Sequence, residues 1–112
     1  MTATNILVVE DEKDLADIYR RVLTRYGAEV VECPFEALDR LKTNKYNLIL
    51  TDGTMPGMHG SELIQKAKES GYSGEILMVT GDRYIKNNGV DVIQKPFKIK
   101  ALLSTIDTLL EK

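Results

Sequence analysis

The sequence runs to 112 residues with a formal net charge of −2 and its acids and bases interspersed, so a single domain over residues 1–112 is expected, without the basic stripe that direct nucleic-acid binding needs. Apolar residues make up 43% and charged residues 29%, an ordinary globular balance, and neither a membrane-spanning run nor a signal-type start is present, so a cytoplasmic protein without membrane partners is expected. Cys33 is the only cysteine and His59 the only histidine, which excludes an internal disulfide and a closed zinc site and leaves Cys33 as a small core or near-core residue.

Ile6-Leu7-Val8-Val9 is a short β-branched run that ends in acids, the pattern of a strand buried on both faces. Leu15, Ile18, Tyr19, Val22, Leu23 and Tyr26 then recur at helical spacing, and Gly27 stops that helix. Glu29 to Glu32 reads as a second strand, Phe35 to Lys45 as a helix entered after Pro34, and Leu48-Ile49-Leu50 as a third buried strand. Glu62 to Ala67 predicts a helix that closes near Gly71, Ile76 to Val79 a fourth strand, and Val90 to Ile93 a fifth. Lys98 to Lys112 predicts a last amphipathic helix, with Ile99, Leu102, Leu103, Ile106, Leu109 and Leu110 on one stripe. The alternation implies a parallel sheet covered by helices on both faces, because parallel strands need crossover connections. Between Thr80 and Val90 the chain has room for only a turn or two of helix, since a crossover ordinarily takes roughly 10 to 12 residues.

In such a sheet the ligand site lies beyond the carboxyl ends of the strands. The first strand ends in Glu10-Asp11, the third in Asp52, the fourth in Thr80, and the fifth leads into Lys95-Pro96. Three carboxylates, a hydroxyl and an ammonium should therefore gather on one edge. Any one polar residue at a strand end is commonly a solvated cap, but carboxylates drawn together repel unless a cation offsets them. Mg²⁺ suits that role, being held by one or two carboxylates with phosphate oxygens and water. The combination fits phosphoryl transfer, in which the protein positions groups and offsets charge, and in which a carboxylate can be the nucleophile.

Val8-Val9-Glu10-Asp11-Glu12, the stretch from Leu50 to Gly60, Val79-Thr80-Gly81 and Gln94-Lys95-Pro96-Phe97 together resemble the receiver domains of response regulators in two-component signalling, the CheY-like superfamily. The resemblance covers essentially the whole chain. It implies a flavodoxin-like, doubly wound α/β fold with five parallel strands in the order 2-1-3-4-5, here with a shortened or absent fourth helix. It further implies that Asp52 is the phosphoacceptor, taking its phosphoryl group from a phosphohistidine of a sensor histidine kinase or from a small acyl phosphate. Mg²⁺ would be bound by Asp11, Asp52 and the backbone carbonyl of Thr54, with Glu10 acting through a coordinated water. Lys95 would pair with the phosphoryl oxygens and Thr80 would move onto one of them. Thr54 and Asp82 stand where family members tune the lifetime of the phosphorylated state, and a cis peptide is implied before Pro96.

Val92 stands where the family usually carries an aromatic ring, and Gly81 where it usually carries alanine. Gly81 is a small-for-small exchange that still allows close backbone approach to phosphate, whereas Val92 and the short fourth helix point output away from the face formed by the fourth helix, fifth strand and fifth helix. Two functions follow. One is a phosphorylation-driven switch that acts by protein contact or passes the group to a histidine phosphotransfer protein, assisting its own phosphorylation and dephosphorylation without being an enzyme in the ordinary sense. The other is a pseudo-receiver that docks a downstream partner without chemistry; the intact set of Glu10, Asp11, Asp52, Thr80 and Lys95 favours the switch. Asp52-Gly53-Thr54 also resembles part of the motif of haloacid dehalogenase-type phosphatases, but the nucleophile position of that motif is here Leu50, so a phosphatase is not expected. His59 reads as an exposed loop residue, Met55 and Met58 as loop packing, Lys98, Lys100, Glu111 and Lys112 as a solvated helix face, and Tyr84 as a cover for the site or a docking residue.

Overall fold

Continuous apolar runs make the central strands. In the computed structural model, which describes residues 5–82 and 89–112, β1 (Ile6–Val9) is buried at every position and β3 (Leu48–Asp52) likewise. They pair in parallel with Val9 opposite Thr51, and β3 pairs with β6 (Glu75–Thr80) with Asp52 opposite Val79. β2 (Glu29–Val31) and β7 (Asp91–Gln94) complete a five-stranded parallel sheet in the order β2-β1-β3-β6-β7. This is the expected strand order, with β6 and β7 as the fourth and fifth strands of the sheet.

The helices follow the predicted stripes with shifted ends. α1 (Lys13–Val22) gives way to a single 3₁₀ turn at Thr24–Tyr26 before Gly27, α2 spans Pro34–Thr43, α3 spans Gly60–Glu69 and α4 spans Ile99–Leu110. These are the four α-helices among the described residues. The segment expected to hold a short or absent helix falls largely on 83–88, outside the described residues, as does Tyr84.

Side chains alternate across the sheet and sort the core into layers. Ile6, Val8, Leu48, Leu50, Leu77 and Val79 pack with Tyr19 and Leu23 and with Leu102, Ile106 and Leu109 of α4. Leu7 and Val9 face the other way, toward Ala37 of α2, Leu63 of α3, and Met55 and Met58. Val92 joins a third cluster of Ile64, Ile76, Met78 and Val90. Glu10, Asp52 and Lys95 continue the parity of Val8, Leu50 and Ile93, so the charged residues sit above the α1 and α4 layer.

Two details depart from the expected pattern. Residues between β3 and α3 form a small antiparallel hairpin, β4 (Thr54–Met55) with β5 (Met58–His59); Pro56 and Gly57, the latter at φ 83°, supply a turn that favours glycine at its third position. Its buried methionines pack the loop as expected, and His59 is exposed. Cys33, read from sequence as a core or near-core residue, is exposed: it is the N-cap residue of α2, outside the first buried turn, where Pro34 and Ala37 face inward instead.

Candidate functional site

Because all five strands of the large sheet run parallel, their carboxyl ends share one edge, and Glu10, Asp11, Asp52, Thr80 and Lys95 come together there. One oxygen from each of Glu10, Asp11 and Asp52 lies within 4.8 Å of the others. The Lys95 ammonium stands 3.3 Å from Asp52 Oδ2 and 3.5 Å from Glu10 Oε1. Its position is fixed from below, where the Lys95 N–H donates to the Thr80 carbonyl at 2.8 Å and extends the β6–β7 pairing by one residue. The Lys95–Pro96 peptide is cis, as the resemblance implied.

Burial divides the acids. Glu10 is 1% exposed, Asp52 8%, and Asp11 is half-buried. One oxygen of Glu10 accepts the Glu12 N–H at 3.1 Å, while Oε1 lacks a hydrogen bond. Burial pushes the Glu10 carboxyl up to about 7, opposed by the Glu12 N–H, raised further by the Asp52 charge and lowered again by Lys95. A carboxylate this reluctant to ionise in isolation is what crowding of acids in a dry pocket produces.

Asp52 is held by its own loop. The Thr54 N–H donates to Asp52 Oδ1 at 3.3 Å, Thr51 Oγ1 donates to the Asp52 carbonyl at 3.0 Å, and the Gly53 N–H donates to the Val79 carbonyl at 3.2 Å. The Thr80 hydroxyl is 1% exposed and accepts the Asp82 N–H at 3.1 Å, and the Asp82 carbonyl accepts from Gln94 Nε2 at 3.2 Å. The Thr80 side-chain hydroxyl is thus tied to the start of the segment after β6.

Three features were not singled out from sequence. Glu12 contributes its backbone N–H rather than its acid. Gly60 is the only residue type its position accepts without a shift, since a Cβ there would lie 2.3 Å from the Asp52 carbonyl oxygen. Tyr19, read only as part of the α1 stripe, is fully buried in the layer that contains Val8 and Leu50, with a hydroxyl that lacks a hydrogen bond. Thr54 is brought against Asp52, whereas Val92 packs on the opposite sheet face.

The family model described as response regulator receiver domain matches residues 6–107. The response regulator ArlR of Staphylococcus haemolyticus is 33% identical over 118 residues, covering 97% of this chain and 53% of that protein. The chain spans about half the length of the curated relatives it matches. Among solved structures, a response regulator receiver domain protein (CheY-like) from Methanospirillum hungatei has a TM-score of 0.90 at 29% identity, covering 98% of this chain and 95% of that one. The receiver domain of the Francisella response regulator 1452 has a TM-score of 0.85 at 24% identity, covering 96% and 97%, a likeness of fold.

Proposed function

The chain belongs to the response regulator receiver domain family of two-component signalling, and we propose that it is a phosphorylation-driven switch in which Asp52 accepts the phosphoryl group beside a bound Mg²⁺. The observation that carries this reading is the closure of three carboxylates within 4.8 Å under a lysine 3.3 Å from Asp52. Hard oxygen donors on a half-open edge fit Mg²⁺, which keeps some of its waters. Asp11, Asp52 and the Thr54 carbonyl would hold the ion, with Glu10 reached through one of its waters. When bound, the ion draws charge from the phosphoryl oxygens.

The chain's own residues supply the rest. Asp52, its loop pinned by Thr54 and Gly53, presents an oxygen to the phosphorus of a phosphohistidine; an O–P bond forms, the N–P bond breaks, and the electron pair stays on the departing imidazole nitrogen. Lys95 is placed to offset the charge of the transferred group, a contribution that depends on being preorganised. The Thr80 hydroxyl turns to donate to a phosphoryl oxygen, altering its contact with the Asp82 backbone N–H and carrying the change into the chain after β6. The donor would be a sensor histidine kinase or a histidine phosphotransfer protein, and the output a protein contact.

Beryllofluoride, a mimic of the aspartyl phosphate, tests the switch without turnover. With Mg²⁺ it should shift the amide resonances of Thr80, Gly81 and Asp82 in the wild type and leave Asp52→Asn unchanged. A wild type whose spectrum does not respond would support the docking module that works without chemistry.

A further inference from the structure

Two buried side-chain atoms among the described residues have no hydrogen-bond partner, the Tyr19 hydroxyl and Glu10 Oε1, the latter with the Lys95 ammonium 3.5 Å away. One can donate and the other only accepts when ionised. Tyr19 is fully buried in the layer that contains Val8 and Leu50, the residues that precede Glu10 and Asp52 on the same sheet face. Its ring lies parallel to that of Phe97, 6.3 Å between centroids and 3° between planes, and Phe97 follows Lys95-Pro96. The ring therefore ties α1 to the segment that carries the lysine. Burial, and after it the charges of Glu10 and Asp52, push the Tyr19 phenol up, so the hydroxyl stays protonated and able to donate. Phenylalanine would fill the same space without an orphaned group, and an unmade buried hydrogen bond is a cost to the fold.

We propose that Tyr19 is a positioning residue for the acidic pocket: its hydroxyl reaches Glu10 across one buried water and holds that carboxylate for the cation. The inference rests on the reading of the pocket as a Mg²⁺ site. Groups that hydrogen-bond a metal's ligands commonly change its affinity by about 10- to 100-fold, and Glu10, acting through water, belongs at the low end.

Mg²⁺ binding by calorimetry to the wild type, Tyr19→Phe, Glu10→Gln and the double variant tests it. Tyr19→Phe should weaken Mg²⁺ about tenfold while its unfolding midpoint without Mg²⁺ stays at or above that of the wild type. In the Glu10→Gln background the same substitution should change affinity by less than about twofold, because the coupled partner is gone. Equal affinity of the wild type and Tyr19→Phe, or the same loss with and without Glu10, would overturn the proposal and leave Tyr19 a packing residue. A wild type that binds no Mg²⁺ would overturn the reading of the pocket itself, and the role of Tyr19 with it.

Discussion

Replacing Glu10 with glutamine should stabilise the metal-free protein, and only above a definable pH. Glu10 is 1% exposed, and burial with the neighbouring Asp52 charge raises its carboxyl from 4.5 to about 7. The folded value lies above the unfolded one, so between these pH values the folded chain keeps a proton that the unfolded chain has lost. Stability is then highest below pH 4.5, falls as pH rises toward 7, and levels off above it. At about 1.4 kcal/mol for each tenfold change in proton affinity, the full loss is about 3 kcal/mol, an upper limit shared with Asp52 because the two acids titrate together. Glutamine can still accept the Glu12 N–H but never ionises. Urea unfolding in EDTA, from about pH 4 to about pH 8, should show the two proteins alike at the acid end and Glu10→Gln ahead at the basic end. Saturating Mg²⁺ should narrow or reverse the gap at high pH, since a bound cation offsets the charge that glutamine lacks. Parallel curves with no pH-dependent separation would refute the assignment of Glu10 as a buried acid whose ionisation burdens the fold.

Other substitutions probe separate links. Gly60→Ala places a methyl group 2.3 Å from the Asp52 carbonyl oxygen, and should cost about 1–3 kcal/mol in urea unfolding and slow phosphorylation; wild-type values for both would mean that the loop yields freely. Lys95→Ala should fold normally but accept phosphate at least about tenfold more slowly from acetyl phosphate, a modest share of what preorganised charge contributes; an unchanged rate would remove Lys95 from the chemistry. Leu102→Ala, in the fully buried α4 contact with the sheet, should lower stability by about 2–5 kcal/mol without altering Mg²⁺ affinity, as calorimetry can check. Thr80→Ala should still be phosphorylated yet lose the amide shifts at Gly81 and Asp82.

Much of this arrangement is legible in the residues. Ile6–Val9 and Leu48–Leu50 announce strands buried on both faces because they are short, apolar and β-branched, and the acids that close them lie on one edge because parallel strands share a direction. Less legible is whatever depends on neighbours distant in sequence. The two-residue strands of the Thr54–His59 hairpin are too short to carry a period. The last turn of the first helix tightens to 3₁₀, with Tyr26 buried and its hydroxyl donating to Asp107 of α4 at 2.6 Å, a contact that no local pattern encodes. Cys33 looked apolar enough for the core, yet its position outside the first turn of α2 faces it to solvent. Tyr19 shows the same limit: its spacing marks it as core, whereas its unpaired hydroxyl emerges only when α1 is packed on the sheet.

The most direct test of Asp52 as phosphoacceptor is the intact mass of the chain after incubation with Mg²⁺ and acetyl phosphate, beside Asp52→Ala. The wild type should gain a single phosphoryl group, and lose that gain when EDTA is present during the reaction. Addition to Asp52→Ala would contradict the assignment of Asp52, and wild-type addition that persists in EDTA would contradict the part given to Mg²⁺.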